Sequence, residues 1–149
     1  MPTRPKKSFL RRHSLSFVTA GILSAWIVLY SRSNPQAHLG SFFGNAIADW
    51  TGLLVTVLAT KSFYEIGSPE SRQPPLRWLG PVAGFLQRHS LTIFLMVTGA
   101  AWIWLFVRCD PVSKWGQVVG NIVSEWTQIF GMVILTKHLL ESHSKESRQ

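Results

Sequence analysis

Two stretches decide the fold: residues 39–60, LGSFFGNAIADWTGLLVTVLAT, and residues 115–136, WGQVVGNIVSEWTQIFGMVILT. Each carries a single formal charge along its whole length, Asp49 in the first and Glu125 in the second. A soluble amphipathic helix sets charges at helical spacing along its outer face, whereas these segments are apolar around most of their circumference. A helix rises about 1.5 Å per residue, so each covers roughly the 30 Å of a bilayer's hydrocarbon core. Two further stretches, 15–30 and 91–107, carry no charge at all. They are near the short limit for a span and draw length from their flanks or sit where the bilayer is thin. The sequence thus predicts an all-α integral membrane protein with four transmembrane helices.

Composition agrees with this reading. The 149 residues are 46% hydrophobic and only 15% charged, with seven tryptophans and a net charge of +8. Mean hydropathy is positive at +0.16. Such a chain is too apolar for disorder, and its basic excess does not read as a nucleic-acid arm. A single cysteine, Cys109, excludes an internal disulfide and a cysteine-based zinc site.

The second feature is internal repetition. Laid over one another, 12–73 and 88–149 align without a gap, with 24 identities in 62 positions. Arg12-His13-Ser14-Leu15 returns as Arg88-His89-Ser90-Leu91, and Ala25-Trp26-Ile27 as Ala101-Trp102-Ile103. Gly40, Gly44, Asn45, Trp50 and Lys61 return as Gly116, Gly120, Asn121, Trp126 and Lys137. Each copy holds two helices, so both enter the membrane in the same direction, related by a pseudo-twofold axis along its normal. The expected organisation is a basic cytoplasmic tail (1–11), a first hairpin repeat (12–73), a cytoplasmic linker (74–87) and a second hairpin repeat (88–149). Around the start of the linker, Gly67-Ser68-Pro69 and Gln73-Pro74-Pro75 break helix. Trp78, Leu79, Val82, Phe85 and Leu86 then read either as a short interfacial helix or as an irregular loop.

Twelve basic residues lie on the side of the two tails and the linker, against Arg32, Arg108 and Lys114 on the other. The positive-inside rule therefore predicts cytoplasmic termini. The basic start and Pro35-Gln36-Ala37 imitate a cleaved leader, and Arg11-Arg12 a twin-arginine signal. Recurrence of the first helix inside the chain argues that it stays. Asn34-Pro35 and Asp110-Pro111 read as an N-cap followed by proline at the first position of the second helix in each repeat.

Asp49 and Glu125 occupy equivalent positions about halfway along their apolar helices, where a charge costs about 2.5–3.5 kcal/mol. Asn45, Asp49, Gly52, Thr56 and Thr60 fall on one helical stripe, and Asn121, Glu125, Gln128 and Thr136 reproduce it. If the stripes confront one another, two carboxyls and two amides meet near mid-bilayer, and both carboxyls do not ionise cheaply. Two uses fit: structural interhelical hydrogen bonds, or a proton or cation site of hard oxygen donors. Gly40-x-x-x-Gly44 and Gly116-x-x-x-Gly120 suit close helix packing, expected between the second and fourth helices. Trp50 and Trp126, like Trp26 and Trp102, lie inside apolar segments and read as packing residues, not as a pigment or quinone box. Arg12, His13, Arg88 and His89 stand at the cytoplasmic boundary, where headgroup contact is expected and metal binding is the minor reading. Lys61 with Glu65, and Lys137 with Glu141, form solvated i, i+4 pairs on this reading.

No catalytic motif or cofactor signature is present, so the expectation is a non-enzymatic membrane protein without cofactors. Its expected partners are the bilayer and further copies or subunits of a membrane complex, and not nucleic acid. The chain also resembles an uncharacterised family of small bacterial membrane proteins with two tandem helical hairpins. The resemblance rests on His13-Ser14-Leu15-Ser16, on a tryptophan beside an acidic residue in the second helix, and on the exit Gly67-Ser68-Pro69-Glu70-Ser71-Arg72. It implies a bacterial inner-membrane location and no established activity. At the second exit Ser142-His143-Ser144-Lys145 replaces the glycine turn, which puts that turn's role in doubt there.

Overall fold

The computed structural model describes Phe9, residues 13–68 and residues 80–139. These form five helices: α1 (Ser14–Arg32), α2 (His38–Ser62), α3 (Pro81–Arg88), α4 (Ser90–Arg108) and α5 (Lys114–His138). Of the long helices, α1 and α4 have 19 residues each and α2 and α5 have 25 each. Every boundary of α4 and α5 falls at the repeat equivalent of the matching boundary of α1 and α2. All four are long and apolar enough to cross a membrane. The helical hydroxyls match that solvent. Thr19, Ser24, Thr51, Thr60, Thr98 and Thr136 each donate to the carbonyl four residues back, leaving few polar groups to face an apolar surround.

The helices are not equally enclosed. α2 buries seven residues and α5 six, whereas α1 buries only Thr19 and Tyr30, and α4 only Leu91 and Leu95. α2 packs on α5, α1 packs on α2, and α4 packs on α5, with a lesser contact between α2 and α4. The order across the molecule is therefore α1, α2, α5, α4, with the two later helices of each pair at the centre. Outward residues of the flanking helices, such as Phe17, Val18, Val97, Ile103 and Trp104, are exposed. An apolar exterior of this kind is poorly suited to water and well suited to lipid.

The glycines expected between the second and fourth helices lie elsewhere. A Cβ on Gly44 would stand 3.1 Å from the Tyr30 ring of α1, and one on Gly120 the same distance from the Phe106 ring of α4. Gly40 and Gly116 lie under the preceding turn, where a Cβ would come within 1.8 Å of the Asn34 carbonyl oxygen and 2.0 Å of that of Asp110. Their lack of a side chain lets each first helix and its short loop close onto the second helix of the same pair. Asn34 and Asp110 are also not N-caps. Their side chains accept from the Gln36 and Val112 amides two residues on, and the helices begin only at His38 and Lys114. The asparagine and aspartate close their own turns, and Ser113 caps α5 by accepting from the Gly116 amide at 3.0 Å.

α3 begins with Pro81 at its first turn and leaves Val82, Phe85 and Leu86 exposed. Trp78 and Leu79 of the expected interfacial piece lie outside the described residues. Only His89 separates α3 from α4.

Glycine positions give a direct test of this packing. Gly44→Leu should lower stability in detergent by about 1–3 kcal/mol, since its side chain meets the Tyr30 ring. Gly21→Ala, where nothing lies within 4 Å of an added Cβ, should be neutral or gain up to about 1 kcal/mol from helix propensity. Thermal unfolding should therefore show a lowered midpoint for the first variant and an unchanged or raised one for the second.

Candidate functional site

Along the contact of α2 with α5 runs a ladder of polar side chains. Asn121 Nδ2 donates to Asn45 Oδ1 at 2.6 Å, joining two equivalent positions of the repeats. One turn on, at the next pair of equivalent positions, stand Asp49 and Glu125, near enough for each carboxyl to act on the other. Gln128 Nε2 donates to Glu125 Oε1 at 3.2 Å. Gln128 stands where the first repeat has Gly52, and a Cβ on Gly52 would lie 3.5 Å from Glu125 Oε2. The missing side chain of Gly52 thus leaves the room that the longer Glu125 side chain enters.

The ladder is not enclosed. Asn45, Asp49 and Gln128 are exposed, and Asn121 and Glu125 are half-buried. From Glu125 a cavity of about 290 Å³ leads towards the end of the molecule that carries the linker. Thr56 and Thr60 form one wall, Leu91 and Leu95 another, and Met132 and Val133 a third.

The tryptophans are placed unequally. Trp126 is 5% exposed, faces Trp102 and donates through Nε1 to Thr98 Oγ1 at 3.0 Å. Its ring enters α4 at Gly99, where a Cβ would come within 3.1 Å. The first repeat has Ile22 and Leu23 at the positions of Thr98 and Gly99, and Trp50 is only half-buried. Trp26 stacks on Phe43 with centroids 5.8 Å apart.

At the linker end a second polar cluster forms around Glu65, which is fully buried. Lys137 Nζ and His89 Nδ1 both donate to Glu65 Oε1, at 2.9 and 2.7 Å, and the Thr92 amide donates to Oε2 at 3.4 Å. The carboxylate also sits at the start of α4, where unpaired amides favour negative charge. Backbone bonds join the same parts: Leu91 N donates to Tyr64 O at 3.0 Å and Ile66 N to Arg88 O at 2.8 Å. Gly67, at φ +90°, makes the turn that follows, and its backbone passes beneath the Lys137 stem. Burial pushes the Glu65 carboxyl up, but the Thr92, Lys137 and His89 hydrogen bonds outweigh it and hold the group below its ordinary range.

This cluster corrects the expected solvated pair. α2 ends at Ser62, so Glu65 is not on the same helix as Lys61. Glu65 instead takes Lys137 of the other repeat, and Lys61 Nζ lies 2.6 Å from His13 Nδ1. Glu141, the expected partner of Lys137, lies outside the described residues, as does Arg12. His89, expected among headgroups, is half-buried against Glu65, while Arg88 is exposed. Among the described residues no three His, Cys, Asp or Glu side chains gather as a metal site requires. The sequence did hold a signal for the cluster: His13, Lys61 and Glu65 all recur unchanged in the second repeat, as His89, Lys137 and Glu141.

Comparison with family models, curated proteins and solved structures gives no match to this chain. The resemblance to the family of tandem-hairpin bacterial proteins therefore has no support from those comparisons.

Glu65→Gln should lower stability at neutral pH by about 1–3 kcal/mol, because the buried acceptor loses its charge and strands Lys137. The sign with pH follows from the depressed folded value: the junction's contribution is complete above the unfolded carboxyl value of about 4.3 and is lost as pH falls through the lower folded value. Thermal unfolding followed from neutral to strongly acidic conditions should show the parent and the variant converging. Parallel curves would remove Glu65 from the account.

Proposed function

We propose that this chain is a multi-pass membrane protein made of two tandem copies of one helical hairpin, acting without catalysis as a subunit of a membrane assembly. The duplication is supported by the 24 identities, the shared helix boundaries and the matched Gly44–Tyr30 and Gly120–Phe106 contacts. A pseudo-twofold axis along the membrane normal then passes by Asn45 and Asn121. The excess of basic residues on the side of the tails and linker supports cytoplasmic termini, and a bacterial inner membrane is the location we propose.

The observation that carries the subunit reading is the open ladder. Asn45, Asp49 and Gln128 are exposed in the middle of helices that are otherwise apolar. Against lipid the donor and acceptor capacity that the ladder leaves unused would go unsatisfied, and an aspartate at the bilayer centre costs about 2.5–3.5 kcal/mol. Another protein surface, a second copy being the simplest, removes that cost by supplying donors and acceptors. Single-molecule photobleaching of labelled chains in lipid vesicles tests this. The parent should bleach in more than one step, and an Asp49→Leu, Glu125→Leu variant that stays folded should bleach in one. Single-step bleaching of the parent at every density would refute the subunit reading.

A second reading has its own observation: Glu125 stands at the head of the cavity that runs to the linker end. Four helices in a row enclose no hydrated pore, so conduction would proceed by proton transfer between Asp49 and Glu125 or at an interface between copies. In proteoliposomes under an imposed pH or potential gradient, this reading requires proton or cation flux that Asp49→Asn with Glu125→Gln abolishes. The subunit reading expects no flux in either.

A further inference from the structure

The Glu65 junction shows what the ends of these helices are built to hold. A histidine just before one helix, a lysine near the end of another and a first-turn amide converge on one carboxylate. The same donors occur at the equivalent positions of the first repeat as His13, Lys61 and the Ser16 amide. His13 precedes α1 and Lys61 lies in the last turn of α2, and the two side chains are already 2.6 Å apart. Here the lysine donates to the imidazole, and no described carboxylate stands between them as Glu65 does in the other cluster.

We propose that His13 and Lys61 bind the phosphate of an anionic phospholipid at the cytoplasmic face, a reading that rests on the membrane placement above. Surroundings decide the occupant. Lys61 is exposed and His13 half-buried, and beside them Phe9, Leu15 and Phe17 are 68%, 61% and 51% exposed. Phe9 lies against the His13 ring, with centroids 4.5 Å apart, and 6.3 Å from Phe17. A lysine and a histidine beside exposed apolar side chains fit a headgroup whose acyl chains descend along those side chains. An oxyanion between the pair takes one hydrogen bond from Lys61 and one from His13, whose proton then sits on Nδ1 as in His89. The chain's own carboxylate at this register position is Glu141, but His143 stands where the first copy has Gly67. The left-handed turn that follows Glu65 is therefore costly to repeat with a residue other than glycine. Phosphatidylcholine carries the same phosphate beside a cation that Lys61 repels, so selectivity for net negative lipid follows.

The test reconstitutes the chain in phosphatidylcholine vesicles containing a minor fraction of phosphatidylglycerol and counts retained lipid by native mass spectrometry. The parent should retain phosphatidylglycerol in preference to phosphatidylcholine. Lys61→Gln should lower that retention about fivefold, as expected for one lost cation at an anionic surface, and His13→Leu, which removes the second donor, should lower it as well. Lys61→Arg should restore it, and Arg32→Gln, at the opposite end of α1, should leave it unchanged. Equal retention of both lipids, or retention indifferent to His13 and Lys61, would overturn the proposal. So would a preference that emerges only in Glu141→Gln, since the chain's own carboxylate would then be the occupant. Failure of the chain to resist alkaline extraction from pure phosphatidylcholine vesicles would instead refute the membrane placement.

Discussion

A single amide-to-amide hydrogen bond, from Asn121 to Asn45, lies at the contact on which the rest of the molecule is arranged. Two apolar helices have little reason to choose one another in a lipid-like solvent, where side chains of either are as comfortable against acyl chains. Polar groups that find partners only across one seam supply that choice. The bond between Asn45 and Asn121 selects one register and one facing of α2 on α5. Once the central pair is fixed, Gly44 and Gly120 seat α1 and α4 on the outside through Tyr30 and Phe106.

Near-symmetry makes the departures informative. The second repeat carries Thr98 and Gly99, which admit and bond Trp126, whereas the first has Ile22 and Leu23 there. Glu125 and Gln128 replace Asp49 and Gly52, and both line the cavity between α2, α4 and α5. At the linker end Glu65 bonds Lys137 and His89 and thereby ties the end of α2 to α5 and to the start of α4. His89 and Lys137 thus hold the two pairs together through Glu65, whereas His13 and Lys61, at the matching sequence positions, bond one another.

Much of the helical layout was legible in the sequence because it depends on local composition: four apolar runs give four long helices, each extending one or two positions beyond its run at either end. The polar stripe was legible for the same reason, since Asn45 and Asp49 stand one turn apart on one helix. What was not legible depends on contacts between distant parts. Spacing alone made Lys61 and Glu65 neighbours, but the helix ends at Ser62 and the carboxylate turns to Lys137 of the other repeat. The glycine pairs suggested a seam between the central helices because the motif does not name its partner, and both pairs serve their own short loop and first helix. Proline after Asn34 imitated a helix start, although the asparagine's acceptor bond goes to its own turn.

The central claim, that α2 and α5 meet through Asn45 and Asn121 within the membrane, is tested most directly by cross-linking. In a Cys109→Ser background, Asn45→Cys with Asn121→Cys should form an intramolecular disulfide on mild oxidation of isolated membranes. Ile27→Cys with Ile103→Cys, exposed on the two flanking helices, should not. Absence of the first cross-link in a chain that remains membrane-inserted, or equal formation of both, would contradict the arrangement described.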